Sequence, residues 1–354
     1  MSDSLSALQL FDQLDEEVRL ALKNVGCLLD NNTMITALSR GLSNHNYLIA
    51  TETGKWVLRL NSAASNGICD RNAELANWRL AQSADVAPKL LFNSTNNQCY
   101  LSEYIEHSTD WSVLMCANRA HPLIDCFEPW PEAEQYLLNL LNTLSSLPLP
   151  INQMSLPQQW HEYRQALTQH SRQQACHLNI VQRQLWQTRF KVLMAQSDKI
   201  EQLLVLLQAC MLGPQYSHRD LNPHNLLFKK KLWCIDYEYA CSSHPLVDLA
   251  SVLATHRLST SQRHTLISRY LEHNPNLTSD ALKAVPAAIE IYWYFGCCWA
   301  LLMAISHHSD MDSNTSSENN DDDTLTRTDN FESFTHHSFD AYLNCFDDFI
   351  ALID

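Results

Sequence analysis

HRDLNPHNLLFKKKLWCIDYEYA occupies residues 218–240. Its first eight residues set an acid, Asp220, and an amide, Asn225, five positions apart, with His218 and His224 in the same stretch. The polar residues around Pro223 read as a loop, and the apolar run ending at Ile235 reads as strand. Asp236 closes that run beside a turn. Phosphoryl transfer from a nucleotide needs few protein parts: a group that orients the attacking hydroxyl, oxygen ligands for Mg²⁺, a loop over the phosphates and a cation to brace them. Asp220 could take the hydroxyl proton, Asn225 could offer a neutral oxygen, and Asp236 could supply the second acid. One carboxylate, one amide and phosphate oxygens suit Mg²⁺, which keeps part of its water shell. The first eight residues alone would also pass for a polar loop. The acid sixteen residues beyond Asp220 separates the two readings.

At 354 residues the chain is long for one simple core and favours two lobes or domains. Hydrophobic residues make up 45 %, enough for a sizeable core. The formal net charge of −15 excludes a basic nucleic-acid footprint and suits a cationic small-molecule partner. Twelve cysteines are scattered without a CxxC pair, mostly in apolar stretches, as expected of reduced thiols in a cytoplasmic protein. Sixteen histidines show no zinc spacing. The opening MSDSLSALQLFDQLDEEVRL is acidic and amphipathic and carries no basic signal segment. AIEIYWYFGCCWALLMAI, residues 288–305, is apolar but short, contains Glu290 and lacks flanking Lys or Arg anchors. It is expected as a buried helix rather than a membrane span.

Apolar spacing predicts a helix over residues 5–28. Strand-like runs follow at TMITALSRG, NYLIATETG and KWVLRLN, with a hairpin turn at Thr53-Gly54. CDRNAELANWRLAQSAD reads as helix, and VAPKLLFNS and CYLSEYIE as two more strands. From residue 132 the period becomes helical and stays so, apart from the opening segment. Residues 309–326, SDMDSNTSSENNDDDTLT, hold six acids and no Lys or Arg, and are expected as a disordered surface loop.

HRDLNPHNLLF followed by IDYEYA resembles the choline/ethanolamine kinase, thiamine kinase and aminoglycoside phosphotransferase group. The catalytic segment of that group reads H-x-D-x-x-x-x-N, and its metal strand commonly ends in I-D-[FWY]-E. The resemblance implies an α+β, bilobal, protein-kinase-like fold. A small antiparallel-sheet lobe would span residues 1–105, and a larger, mainly helical lobe residues 106–354. It implies ATP and Mg²⁺, with Asp220 as catalytic base and Asn225 and Asp236 as metal ligands. SRGLSNHNYLI resembles the hairpin that covers the nucleotide phosphates, with Gly41, Ser43 and Asn44 at its tip. Arg59 in WVLRL stands where protein kinases carry a strand lysine, and Arg71-Asn72-Ala73-Glu74 resembles the helix whose glutamate pairs with that cation. SEYIE places Glu103, Tyr104 and Ile105 at the expected hinge, where main chain would meet adenine. Tyr237-Glu238 replaces the DFG continuation, and only eleven residues separate Asp236 from Asp248, so a protein acceptor is not expected.

The expected acceptor is a small cationic alcohol of the choline, ethanolamine or thiamine type. Its candidate contacts are Glu238, which resembles the group's second acid, and Glu290 and Trp293 on one face of the aromatic-rich helix. Packing is the competing reading for those rings. An aminoglycoside acceptor and a nucleotide-binding pseudokinase scaffold are the alternatives.

Overall fold

A computed structural model describes residues 14–30, 33–38, 44–61, 69–115, 130–173, 178–315 and 338–353, with side chains described through 306 in the penultimate stretch. Gly41 and Ser43 lie outside these residues. The chain divides into two compact units. One comprises residues 1–153, 215–242 and 251–274; the other comprises residues 154–214, 243–250 and 275–354.

The first unit begins with α1 (Glu16–Asn24), much shorter than the apolar spacing predicts within the described residues. Gly26, at φ 81°, terminates it: the Cys27 N–H reaches back to Leu22 O at 2.9 Å, a closure that favours glycine. Five strands then form an antiparallel sheet: β1 (Met34–Ala37), β2 (Asn44–Thr51), β3 (Gly54–Asn61), β4 (Leu90–Asn93) and β5 (Cys99–Glu103), in the order β1-β2-β3-β5-β4. The β2–β3 hairpin turns on Glu52-Thr53, because Thr51 pairs with Gly54, one residue earlier than the sequence suggested. A Cβ on Gly54 would stand 3.0 Å from the Trp56 indole, so glycine permits that ring to fold back over the turn. In β3, Arg59 pairs directly with Tyr100 of β5.

Helix α2 (Arg71–Ser83) is capped by Asp70, whose side chain accepts from Asn72 N and Ala73 N. Its buried face carries Leu75, Trp78 and Ala81, but also Arg71, Glu74 and Asn77. Asn77 ties the helix to the opening segment: its main-chain oxygen accepts from Tyr216 Oη at 3.0 Å, and its Nδ2 donates to Ala240 O at 2.6 Å. That segment is preceded by β7 (Gln215–Ser217) and contains a 3₁₀ turn at Pro223–Asn225 and the hairpin of β8 (Leu226–Lys229) and β9 (Lys231–Cys234). The two-residue β6 (Thr109–Asp110) extends the hairpin on the β8 side. Phe228 of β8 packs with Trp111, Trp130 and Tyr136 at ring separations of 4.9–5.6 Å, anchoring the hairpin to helices α3 (Trp111–Met115) and α4 (Ala133–Ser145).

The second unit contains helices α5 (Leu156–Arg172), α6 (Ile180–Met194) and α7 (Ser197–Cys210). The residues of strand β10 (Cys241–Ser243) and helix α8 (Leu246–Thr255) are divided between the two units, and α9 (Thr260–His273) belongs to the first. The long α10 (Ala281–Thr315) packs on α5, α6, α7 and α11 (Phe339–Ile350). Residues Ala281–Ser306 are long and apolar enough to cross a membrane, but 67 % of their most apolar window is buried. Of the segment expected as a loop, residues 309–315 continue α10, since a helix once nucleated by its apolar part propagates at little cost. Residues 316–326 lie outside the described ones. The nine described cysteines are free thiols, all but Cys345 buried.

Candidate active site

The β8–β9 hairpin builds the centre. Leu226 pairs with Cys234, so the next residue out on each side also meets: Ile235 N donates to Asn225 O at 3.0 Å. This places Asn225 beside the residue that precedes Asp236. His218, fully buried, locks the same point from behind, its Nε2 lying 3.1 Å from Ile235 O. Burial lowers the His218 imidazole to about 4, so the ring is neutral and braces the loop as a hydrogen-bond donor.

Asp220 is clasped on both carboxylate oxygens. Asn222 Nδ2 donates to Oδ1 at 2.8 Å; Asn225 Nδ2 donates to Oδ2 at 2.7 Å and to the Asp220 main-chain oxygen at 3.0 Å. A carboxylate only accepts, so the nitrogen of Asn225 must face Asp220 and its Oδ1 is the end left for a cation. Burial raises the Asp220 carboxyl to about 6; the Asn222 amide opposes the rise and the charge of Asp236 adds to it. A carboxyl near neutrality is suited to accept a proton from a hydroxyl. Arg219 and Asp236 both adopt left-handed backbone, at φ 70° and 69°. Such conformations cost about 1 kcal/mol or more in a residue with a Cβ and cluster where a side chain must be re-aimed.

Behind Asp236 lies a buried ion cluster. Arg59 Nη2 is 3.0 Å from Glu74 Oε1 and 3.7 Å from Glu238 Oε2; its Nη1 is 3.3 Å from Asp236 Oδ1. Its Nε donates to Asn61 Oδ1 at 2.9 Å, and the guanidinium sits 5.6 Å over the Tyr100 ring, the consequence of the Arg59–Tyr100 strand pairing. Burial works against the charge of Arg59, but Glu74, Asp236 and Glu238 outweigh it and hold the group ionised. The Glu238 carboxyl is raised by burial and by Asp236. Asn44 joins the cluster, its Nδ2 donating to Glu238 Oε2 at 3.4 Å. Asp220, Asn225, Asp236, Glu238, Arg59, Glu74 and Asn44 thus all belong to the first unit.

Glu103 ends β5, where its N–H donates to Lys89 O and its Oε1 accepts from Lys89 N, both at 3.0 Å. Tyr104 has the Lys55 ammonium 5.8 Å from its ring centre. Ile105 is buried, and its carbonyl accepts from Ser108 Oγ at 2.7 Å.

The candidate acceptor contacts Trp293 and Glu290 both lie on α10 in the second unit. Trp293 is 5 % exposed and packs at 5.3 Å on Phe349 of α11, so its ring contributes to the helical core. Glu290 is engaged by Lys199 Nζ at 2.7 Å within the same unit. Aromatic density on a helix in the core is consumed by the neighbouring helices, which periodicity cannot reveal.

Sequence reasoning missed three participants. Asn222 holds the candidate base, and an Asx residue two positions after an acid in a loop is the signal that could have found it. Arg71 pairs with Glu74 at 2.7 Å, as its spacing on a helix allows. Tyr100 donates from Oη to Glu74 Oε2 at 3.3 Å, which only the sheet register discloses.

No group of three His, Cys, Asp or Glu side chains able to hold a metal occurs among the described residues. Mg²⁺ needs no such cage. Asp236, whose side chain is 28 % exposed, and Asn225, whose nitrogen is given to Asp220, are the residues whose oxygens would hold it.

The fold is similar to that of solved small-molecule kinases. The choline kinase LicA from Streptococcus pneumoniae aligns with TM-score 0.57 at 14 % identity, covering 96 % of this chain and 99 % of that one. A Plasmodium vivax ethanolamine kinase aligns with TM-score 0.59 at 14 % identity over 88 % and 93 % of the two chains. A macrolide 2′-phosphotransferase from Brachybacterium faecium aligns with TM-score 0.51 at 14 % identity over 87 % and 100 %. A search of curated sequences returns no match. Residues 34–282, more than half of the chain, match the phosphotransferase enzyme family, and the chain belongs to it.

Proposed function

We propose that the protein transfers the γ-phosphate of ATP to the hydroxyl of a small cationic alcohol of the choline, ethanolamine or thiamine type. The observation that carries this reading is the double amide clasp on Asp220 beside Asp236. It holds a carboxylate with a raised pKa among the residues that would bind the cation. Asp220 would accept the proton of the acceptor hydroxyl. Asn225 Oδ1 and Asp236 would hold Mg²⁺, which when bound neutralises phosphate charge. Arg59, fixed by Glu74, would brace the phosphates, and Asn44 with Gly41 and Ser43 would cover them. Main chain at Glu103, Tyr104 and Ile105 would take the adenine edge. Residues 1–105 would then act as the nucleotide lobe and 106–354 as the catalytic and acceptor lobe.

The charge balance supports a cationic acceptor. Four carboxyl groups, Asp220, Asp236, Glu238 and Glu74, stand with only Arg59 and Arg71 in the centre, an excess of acids that favours a cationic acceptor. The choline and ethanolamine kinases also align with higher TM-scores than the macrolide enzyme. Purified protein given ATP and Mg²⁺ should release ADP with at least one of choline, ethanolamine and thiamine. Turnover confined to aminoglycosides would move the acceptor class, and ADP release with no acceptor tried would contradict the reading.

A further inference from the structure

A lone cation–glutamate pair would satisfy the nucleotide site proposed above, yet Glu74 is held by two guanidiniums. Arg59 takes Oε1 at 3.0 Å and Arg71 takes Oε2 at 2.7 Å. Arg71 is 8 % exposed, so the structure bears the desolvation of a second buried cation. Its other contacts say where that charge is directed. Arg71 Nη2 donates to Asn44 Oδ1 at 3.3 Å, and Nη1 lies 4.0 Å from Glu238 Oε2. Asn44 closes the ring by donating to Glu238 Oε2 at 3.4 Å. Asn44 is the first residue of β2, Arg71 the first of α2, and Glu238 stands two residues past Asp236. Three separate elements therefore meet on one planar fork, which a lysine could not reproduce because a point charge cannot hold Glu74 and Asn44 at fixed angles together.

We propose that Arg71 is a positioning residue for the nucleotide: it fixes Asn44 at the start of β2 against Glu74 and Glu238, so that phosphate binding does not have to order that strand end. The inference rests on the nucleotide-site reading and deepens it. Arg71 acts through Asn44, not on the phosphates.

Calorimetric titration of Mg²⁺-ADP into the wild type, Arg71→Lys, Arg71→Met, Asn44→Ala and the Arg71→Met/Asn44→Ala pair tests it. Arg71→Met and Asn44→Ala should each weaken binding roughly tenfold, and the pair should be no weaker than the worse single variant, since one contact is removed twice. Arg71→Lys keeps a charge on Glu74 and serves if the methionine variant does not fold; it too should lose most of the affinity while acceptor KM stays unchanged. Wild-type affinity in Arg71→Lys, or additive losses in the pair, would overturn the positioning role. A wild type that binds no Mg²⁺-ADP would remove the nucleotide-site reading itself, and the inference with it.

Discussion

Asn225 gives its amide nitrogen wholly to Asp220, contacting carboxylate Oδ2 at 2.7 Å and the main-chain oxygen at 3.0 Å. One residue thereby orients the candidate base through its nitrogen alone, and its own oxygen takes no part in that contact. Asn225→Asp would present a like charge to Asp220 and lose the donor. Turnover should fall by roughly a hundredfold or more, with the Mg²⁺ concentration needed for half activity shifted, as steady-state kinetics across a Mg²⁺ series would report.

Asp220 has its own pH signature. Its folded pKa, about 6, lies above the usual carboxylate value, so the fold prefers the protonated form. Stability from this group is present at low pH and is lost as pH rises from about 4 through about 6. Asp220→Asn should therefore abolish turnover and raise the unfolding midpoint at pH 7.5, with a ceiling of about 3 kcal/mol, while gaining little at pH 4. Urea unfolding at the two pH values checks this, and an equal effect at both would contradict it.

Asn222→Leu removes the donor to Asp220 Oδ1 and leaves the nucleotide cluster untouched. The expected result is a kcat loss of roughly tenfold with nucleotide KM unchanged. A rise in nucleotide KM alone would contradict the assignment.

Glu74→Ala would take one carboxylate partner from each of two buried guanidiniums. Loss of one partner from a buried ion cluster costs about 3–5 kcal/mol. Glu74→Gln, which keeps one acceptor oxygen, should cost less, and chemical denaturation of the two variants should rank them in that order.

Trp293→Ala separates core from pocket. Removing an indole packed on Phe349 should cost about 3–5 kcal/mol in stability and leave acceptor KM unchanged per mole of folded protein. A selective rise in acceptor KM would return Trp293 to the pocket.

The strands and helices were legible because their apolar periods are strong, and the contact of Asn225 with Asp220 because five residues of one loop separate them. The pairing of Arg59 with Glu74 was legible only through resemblance, since neither residue differs locally from an exposed cation or helix acid. Arg71 escaped because an arginine opening a helix reads as solvated; burial of that helix face is a tertiary fact. Gly26 ended α1 early, and the acidic residues 309–315 stayed helical, because local stop and disorder signals compete with the helix already formed. The aromatic helix left two readings open, because ring composition is the same for a cation cage and for a helix–helix core.

The most direct test of the central claim is phosphorus NMR of the wild type and Asp220→Ala incubated with ATP, Mg²⁺ and choline, ethanolamine or thiamine. The account predicts that a phosphomonoester signal of one acceptor grows in step with ADP in the wild type and is absent in the variant. ADP formed without a phosphorylated acceptor, or a product signal that survives in Asp220→Ala, would contradict it.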